Sequence, residues 1–198
     1  MTTDYIKVGT TSYTVKTGVS SINIQIIGAG AQGYGGTGNV NNGGGGGVAA
    51  TVLNVNNISV TPGQVIPCSV GARGSKSADH TSNNTAPWHN SGSSGGTTTF
   101  GDAGSVGPYT SNGAQDLSSG WANSSAPGAN GASTGLTGDG SSNAAQGDGN
   151  AGGQGVGGSG YGSGGGGGHS GTNDGGQASD GIIIITYTAA VTPVASFT

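Results

Sequence analysis

The segment Gly28-Ala-Gly30-Ala-Gln-Gly33 carries the G-x-G-x-x-G spacing with which a dinucleotide-binding turn cradles pyrophosphate, and it follows a strand-like run. That chemistry also needs a helix opening on the turn and an acidic residue about twenty positions on. The chain continues instead through Tyr34-Gly-Gly-Thr-Gly-Asn, which does not build a helix, and the next acidic residue is Asp79. Gly138-Asp139-Gly140 and Gly147-Asp148-Gly149 stand nine residues apart, a spacing met in calcium-binding β-rolls, but they lack the large apolar residue each such repeat needs. His80, His89 and His169 have no metal-ligand spacing. The only cysteine, Cys68, lies in the apolar stretch Val65 to Val70 with no cationic neighbour to activate it, so it reads as a buried, inert thiol. Eight Asp, no Glu and no close Asp pair leave glycoside cleavage without its two carboxylates. No catalytic residue, metal site or cofactor is expected, and the chain reads as a non-enzyme.

Recognition is the chemistry the sequence does support. Asp79 to Asn90 places His80, Asn83, Asn84, Trp88 and His89 in one polar stretch, and Gly107 to Trp121 adds Tyr109 and Trp121. Trp and Tyr give large contact area at low entropy cost, while Ser, Asn and Gly adapt their hydrogen bonds to a partner. These seven residues are the candidate receptor-binding set. The competing reading is that Trp88 and Trp121 plug the edge of a glycine-rich body short of other apolar volume.

Such loops need a scaffold, and its composition is unusual. Of 198 residues 47 are Gly, only 6% are charged, and the net charge of −4 is too small for ordinary charge-driven disorder. Four scattered cations, Lys7, Lys16, Arg73 and Lys76, exclude nucleic-acid binding, which needs clustered Lys and Arg. The start, Met1-Thr2-Thr3-Asp4, has no signal-peptide character, and no apolar run reaches membrane-spanning length. We therefore expect synthesis in a cytoplasm and no membrane insertion.

Short strands are expected over 4–8 and 12–16, flanking the turn Gly9-Thr10-Thr11. Val19 to Ile27 alternates apolar and polar residues, placing Ile22, Ile24 and Ile26 on one face of a strand. Strand character returns at 48–60. Thr61-Pro62-Gly63-Gln64 follows as a turn in which Pro presets one dihedral and Gly accepts positive φ, and Val65 to Val70 is the next strand. The unbroken run Ile182 to Ile185 reads as a strand buried on both faces. Helix is not expected anywhere, since Gly is costly in helices.

Between these strands glycine recurs with a period of three: at 30, 33 and 36, and at 149, 152, 155, 158, 164 and 167, with Tyr161 in the one gap. A polyproline II helix repeats every three residues, so glycine at that spacing gives one bare side on which a neighbour can pack closely. Collagen would need an unbroken repeat and abundant Pro, and all six Pro lie outside 149–167. A flexible linker would not explain the strand that follows each glycine-rich block. The expected fold is all-β and irregular: a small sandwich-like β-layer from N- and C-terminal strands, plus a bundle of packed polyproline II helices. Residues 1–18 form an N-terminal strand or attachment arm, 19–188 the glycine-rich domain, and 189–198 a tail.

The order Val19 to Gly33, Gly43 to Gly47, Ile58 to Gln64, Ser69-Val70-Gly71 and Asp180 to Tyr187 resembles the glycine-rich domain of phage tail fibres. It is similar, more loosely, to a tail-fibre-tip adhesin in which a sandwich of polyproline II helices displays receptor-binding loops. The resemblance covers about residues 12–188 and departs from the family in a middle richer in Ser and Asn than in Gly. It implies a virion fibre or tail-tip adhesin that binds a host cell-surface protein or glycan and other virion fibre proteins. Fibre symmetry and the thin core suggest a homotrimer. The alternative is a purely structural virion component: a decoration protein, head fibre or fibre shaft.

Overall fold

The computed structural model describes residues 1–33, 47–75, 93–115, 160–165 and 176–190. Among these there is no helix; eight strands form two four-stranded antiparallel sheets. The strands are β1 (Thr2–Ile6), β2 (Ser12–Thr14), β3 (Ser21–Ile27), β4 (Val52–Ser59), β5 (Val65–Ser69), β6 (Thr98–Phe100), β7 (Tyr109–Ser111) and β8 (Ile182–Tyr187). One sheet has the order β1-β8-β3-β4, the other β2-β5-β6-β7.

The alternation read in β3 holds: Ile22, Ile24 and Ile26 are buried and Ser21, Asn23 and Gln25 are more exposed. β8 is central, between β1 and β3, with Ile24 opposite Ile185 and Ile26 opposite Ile183. Ile182, Ile183 and Ile185 are fully buried and Ile184 partly so, which fits a strand covered on both faces. One apolar cluster joins Ile6, Val19, Ile22, Ile24, Ile26, Ile183 and Ile185 of the first sheet and its flanks to Tyr13, Ile66, Cys68 and Phe100 of the second. The sheets therefore share a single core. The turn from β4 to β5 has the predicted chemistry: Gly63 has φ +81°, and Gln64 N–H donates to the Thr61 carbonyl at 2.9 Å.

Two expectations need correction. The first strands shift to 2–6 and 12–14 and do not pair across the turn between them; β1 pairs with β8 and β2 with β5, so the chain crosses from one sheet to the other. β1 and β2 thus place residues 2–6 in one sheet and 12–14 in the other. The polar middle of the chain also contains two strands, β6 and β7, which complete the second sheet.

Beyond the sandwich lies a layer of seven non-strand segments: 28–33, 47–51, 71–75, 93–96, 112–115, 160–165 and 176–181. Six of them run directly into or out of β3 to β8 at the same end of the sandwich. Segment 28–33 is their hub. Gly28 and Ala31 donate to Thr51 and Val48, Ala29 and Gln32 to Gly96 and Ser93, and Gly30 and Gly33 to Ser179 and Gly176. Residues three apart thus address the same neighbour. The hub carbonyls of Ala29, Gly30 and Ala31 accept from Ala114, Gly74 and Gly165, so all six other segments bond to it.

The spacing leaves no room for side chains between segments. A Cβ on Gly30 would overlap the Ser163 carbonyl, one on Gly95 the Ala29 carbonyl, and one on Gly113 the Gly95 carbonyl. A small apolar cluster of Ala31, Ala50 and Ala114, with Val48 against it, lies within this layer, and Gln32 is also buried there.

Candidate functional site

The ends of the glycine layer decide what can be displayed. Near the sandwich, the junctions are sealed by buried hydroxyls. Thr98 Oγ1 accepts from Gly71 N–H at 3.0 Å, and Ser111 Oγ accepts from Gly28 N–H at 3.2 Å. Away from the sandwich the layer includes Gly33, Gly47, Ser75, Ser93, Gly165 and Gly176. Gly33 donates to Gly176 and Gly47 donates to Gly165, which holds together the four points bounding 34–46 and 166–175. The points bounding 76–92 are tied more tightly: Ser93 Oγ donates to the Ser75 carbonyl at 2.9 Å, and the two hydroxyls lie 3.3 Å apart. Below them Gly74 donates to Gly30, and Gln32 to Ser93.

The sequence 76–92 connects these two tied residues. It holds five of the seven candidate recognition residues: His80, Asn83, Asn84, Trp88 and His89, all of which lie outside the described residues. So do Trp121, His169, Asp139 and Asp148. Most of the glycine repeat over 149–167 lies outside them as well.

Tyr109 is described, and its setting differs from the exposed loop expected for it. It lies in β7 opposite Phe100, half-buried, with its ring packed against the core. It is a wall residue of the sandwich.

Cys68 is buried, as expected. Desolvation pushes its thiol up to about 11, partly opposed by a backbone hydrogen bond from Tyr13, so it stays protonated at neutral pH. Its thiol donates to the Ile66 carbonyl at 3.4 Å. Segment 28–33 binds six neighbouring backbones in place of a phosphate, and no helix follows within the described residues.

The described surface has an open cleft of about 350 Å³ lined by β1, β2 and their connection. Asp4, Tyr5, Ile6, Tyr13 and Lys16 are among its walls. The Tyr13 hydroxyl donates to the Asp4 carboxylate at 3.3 Å, and Lys16 Nζ sits 5.9 Å above the centre of the Tyr13 ring. Burial, with the Asp4 charge added, raises the pKa of both Tyr13 and Tyr187 above the ordinary tyrosine value. Sequence reasoning missed this cleft because its residues come from two strands that belong to different sheets. No family model and no curated protein sequence matches this chain.

Proposed function

We propose that this protein is a virion adhesin, a phage tail-fibre or tail-tip module that attaches to a host cell-surface protein or glycan. On this reading the seven glycine-layer segments are packed polyproline II helices. The three-residue repeat of hydrogen-bond partners along 28–33 supports that, since three residues make one turn of such a helix. The observation that carries the function is the pinned base of 76–92. Between the tied residues Ser75 and Ser93 the sequence carries Trp88, His80 and His89 among Asn, Ser and Thr. That composition suits contact area plus adaptable hydrogen bonds. The resemblance to glycine-rich tail-fibre domains points the same way.

Attachment works by repetition. Single weak contacts through Trp88 and its neighbours add up when copies on one particle engage together. Assembly with other fibre proteins, and a trimer, belong to the same proposal. The test is binding of the fluorescently labelled protein to a panel of bacterial cells, with Trp88→Ala alongside. Saturable binding to one strain, lost in a variant that keeps its melting temperature, is expected. A folded protein that binds no strain would instead fit a structural virion component. Tyr109→Ala is not a clean partner in this test, because that ring supports the core.

A further inference from the structure

We propose that residues 191–198, which lie outside the described residues, add as a strand to the free edge of β1 and close the cleft between the two sheets. Three observations carry this. First, the sandwich is tied on one side and open on the other. Where β4 begins and β7 ends, Thr51 Oγ1 lies 3.0 Å from Ser111 Oγ and donates to the Asn112 carbonyl at 3.1 Å. β1 and β2 are the edges on the other side, and the cleft of about 350 Å³ lies between them. An edge strand leaves alternate N–H and C=O groups without a ladder partner. Second, β1 offers two faces. Ile6 is buried and Asp4 half-buried on the core side, while Tyr5 points to the opposite face and is 56% exposed. A strand added to this edge sends alternate side chains to the two faces. One set enters the cleft beside Ile6 and Tyr13, and the other lies along Tyr5, so an extended segment uses both.

Third, the sequence after Ala190 starts in the right place with the right pattern. Ala190 N–H donates to the Gly18 carbonyl at 2.9 Å, and Gly18 is two residues from Lys16, a wall of the cleft. Thr2, where β1 begins, is at the same end of the sandwich, opposite Tyr187. Val191, Pro193, Ala195 and Phe197 then alternate with Thr192, Val194, Ser196 and Thr198. That is the period of a strand with one apolar face. At about 3.3 Å per residue these residues reach about 26 Å, against about 17 Å for β1. Pro193 has no N–H to donate, which an outermost strand tolerates.

This strand does not rest on the adhesin reading, and its test needs no cells. Every second amide of β1 faces away from β8. Amide hydrogen exchange on the full chain reads those outward amides separately from the inward ones. We expect both sets to be protected, with the same protection at high and low protein concentration. Val191→Asp combined with Phe197→Asp should speed the outward set by at least about tenfold while β3 and β8 stay protected. The proposal is overturned if the outward amides of the full chain exchange as fast as an unpaired backbone, or if the double substitution leaves them unchanged. Protection that falls on dilution would also overturn it, since the edge would then be covered by a second copy of the chain.

Discussion

At Cys68 the surroundings set both reactivity and a pH dependence. A group whose proton is held more tightly in the folded state resists ionisation that the unfolded chain accepts. The thiol moves from 9.0 unfolded to about 11 folded, so its contribution is present below pH 9 and is lost as pH rises from 9 to 11. Chemical denaturation at pH 7.5 and pH 10.5 should show a decrease of roughly 1–2 kcal/mol from this group, and Cys68→Ala should remove that part of the decrease. A thiol reagent at pH 7.5 should label Cys68 only after denaturant is added. Tyr109 gives a second residue-level prediction. Half-buried aromatic area against Phe100 and the core should make Tyr109→Ala cost about 2 kcal/mol in denaturant unfolding. Cys68 could be read from its apolar neighbours. The place of Tyr109 could not, because the Ser, Thr and Gly around it carry no apolar pattern.

The strands divide by length into those the sequence reveals and those it hides. β3 and β8 are long enough for their Ile spacing to declare which face is buried, and the Pro62-Gly63 turn specifies its own geometry. β6 and β7 are three residues each, too short for any period, and polar Thr98 and Ser111 are buried in them beside Phe100. Thr98 and Ser111 are buried because each hydroxyl takes a backbone N–H at the junction with the glycine layer, and such partners, distant in sequence, leave no local mark. The same separation explains the crossing of β1 and β2 into different sheets. In the glycine layer the period of three was legible, but the role of 28–33 as hub was not. Contact distance makes that role testable. Gly30→Ala drives a methyl into the Ser163 carbonyl, and we expect it to cost more than about 3 kcal/mol or to prevent folding. Gly9→Ala meets only its unfavourable φ of +93°, with no atom within 4 Å, and should cost about 1 kcal/mol. Denaturation midpoints for the pair separate steric exclusion from conformational preference.

Across the whole molecule, one apolar core serves the sandwich, and paired backbone serves the layer beyond it. This is how a chain with 30% hydrophobic residues extends an ordered layer beyond its core. Glycine lets the backbones approach until their own polar groups satisfy one another.

The claim that this layer is a rigid scaffold is tested most directly by amide hydrogen exchange on the intact protein. The amides of Ala29, Gly30, Ala31, Gln32 and Gly33 donate to neighbouring segments and should exchange as slowly as those of β3 and β8. Fast exchange over 29–33, with β3 and β8 still protected, would mean that the sandwich stands alone and the glycine layer is not a rigid scaffold.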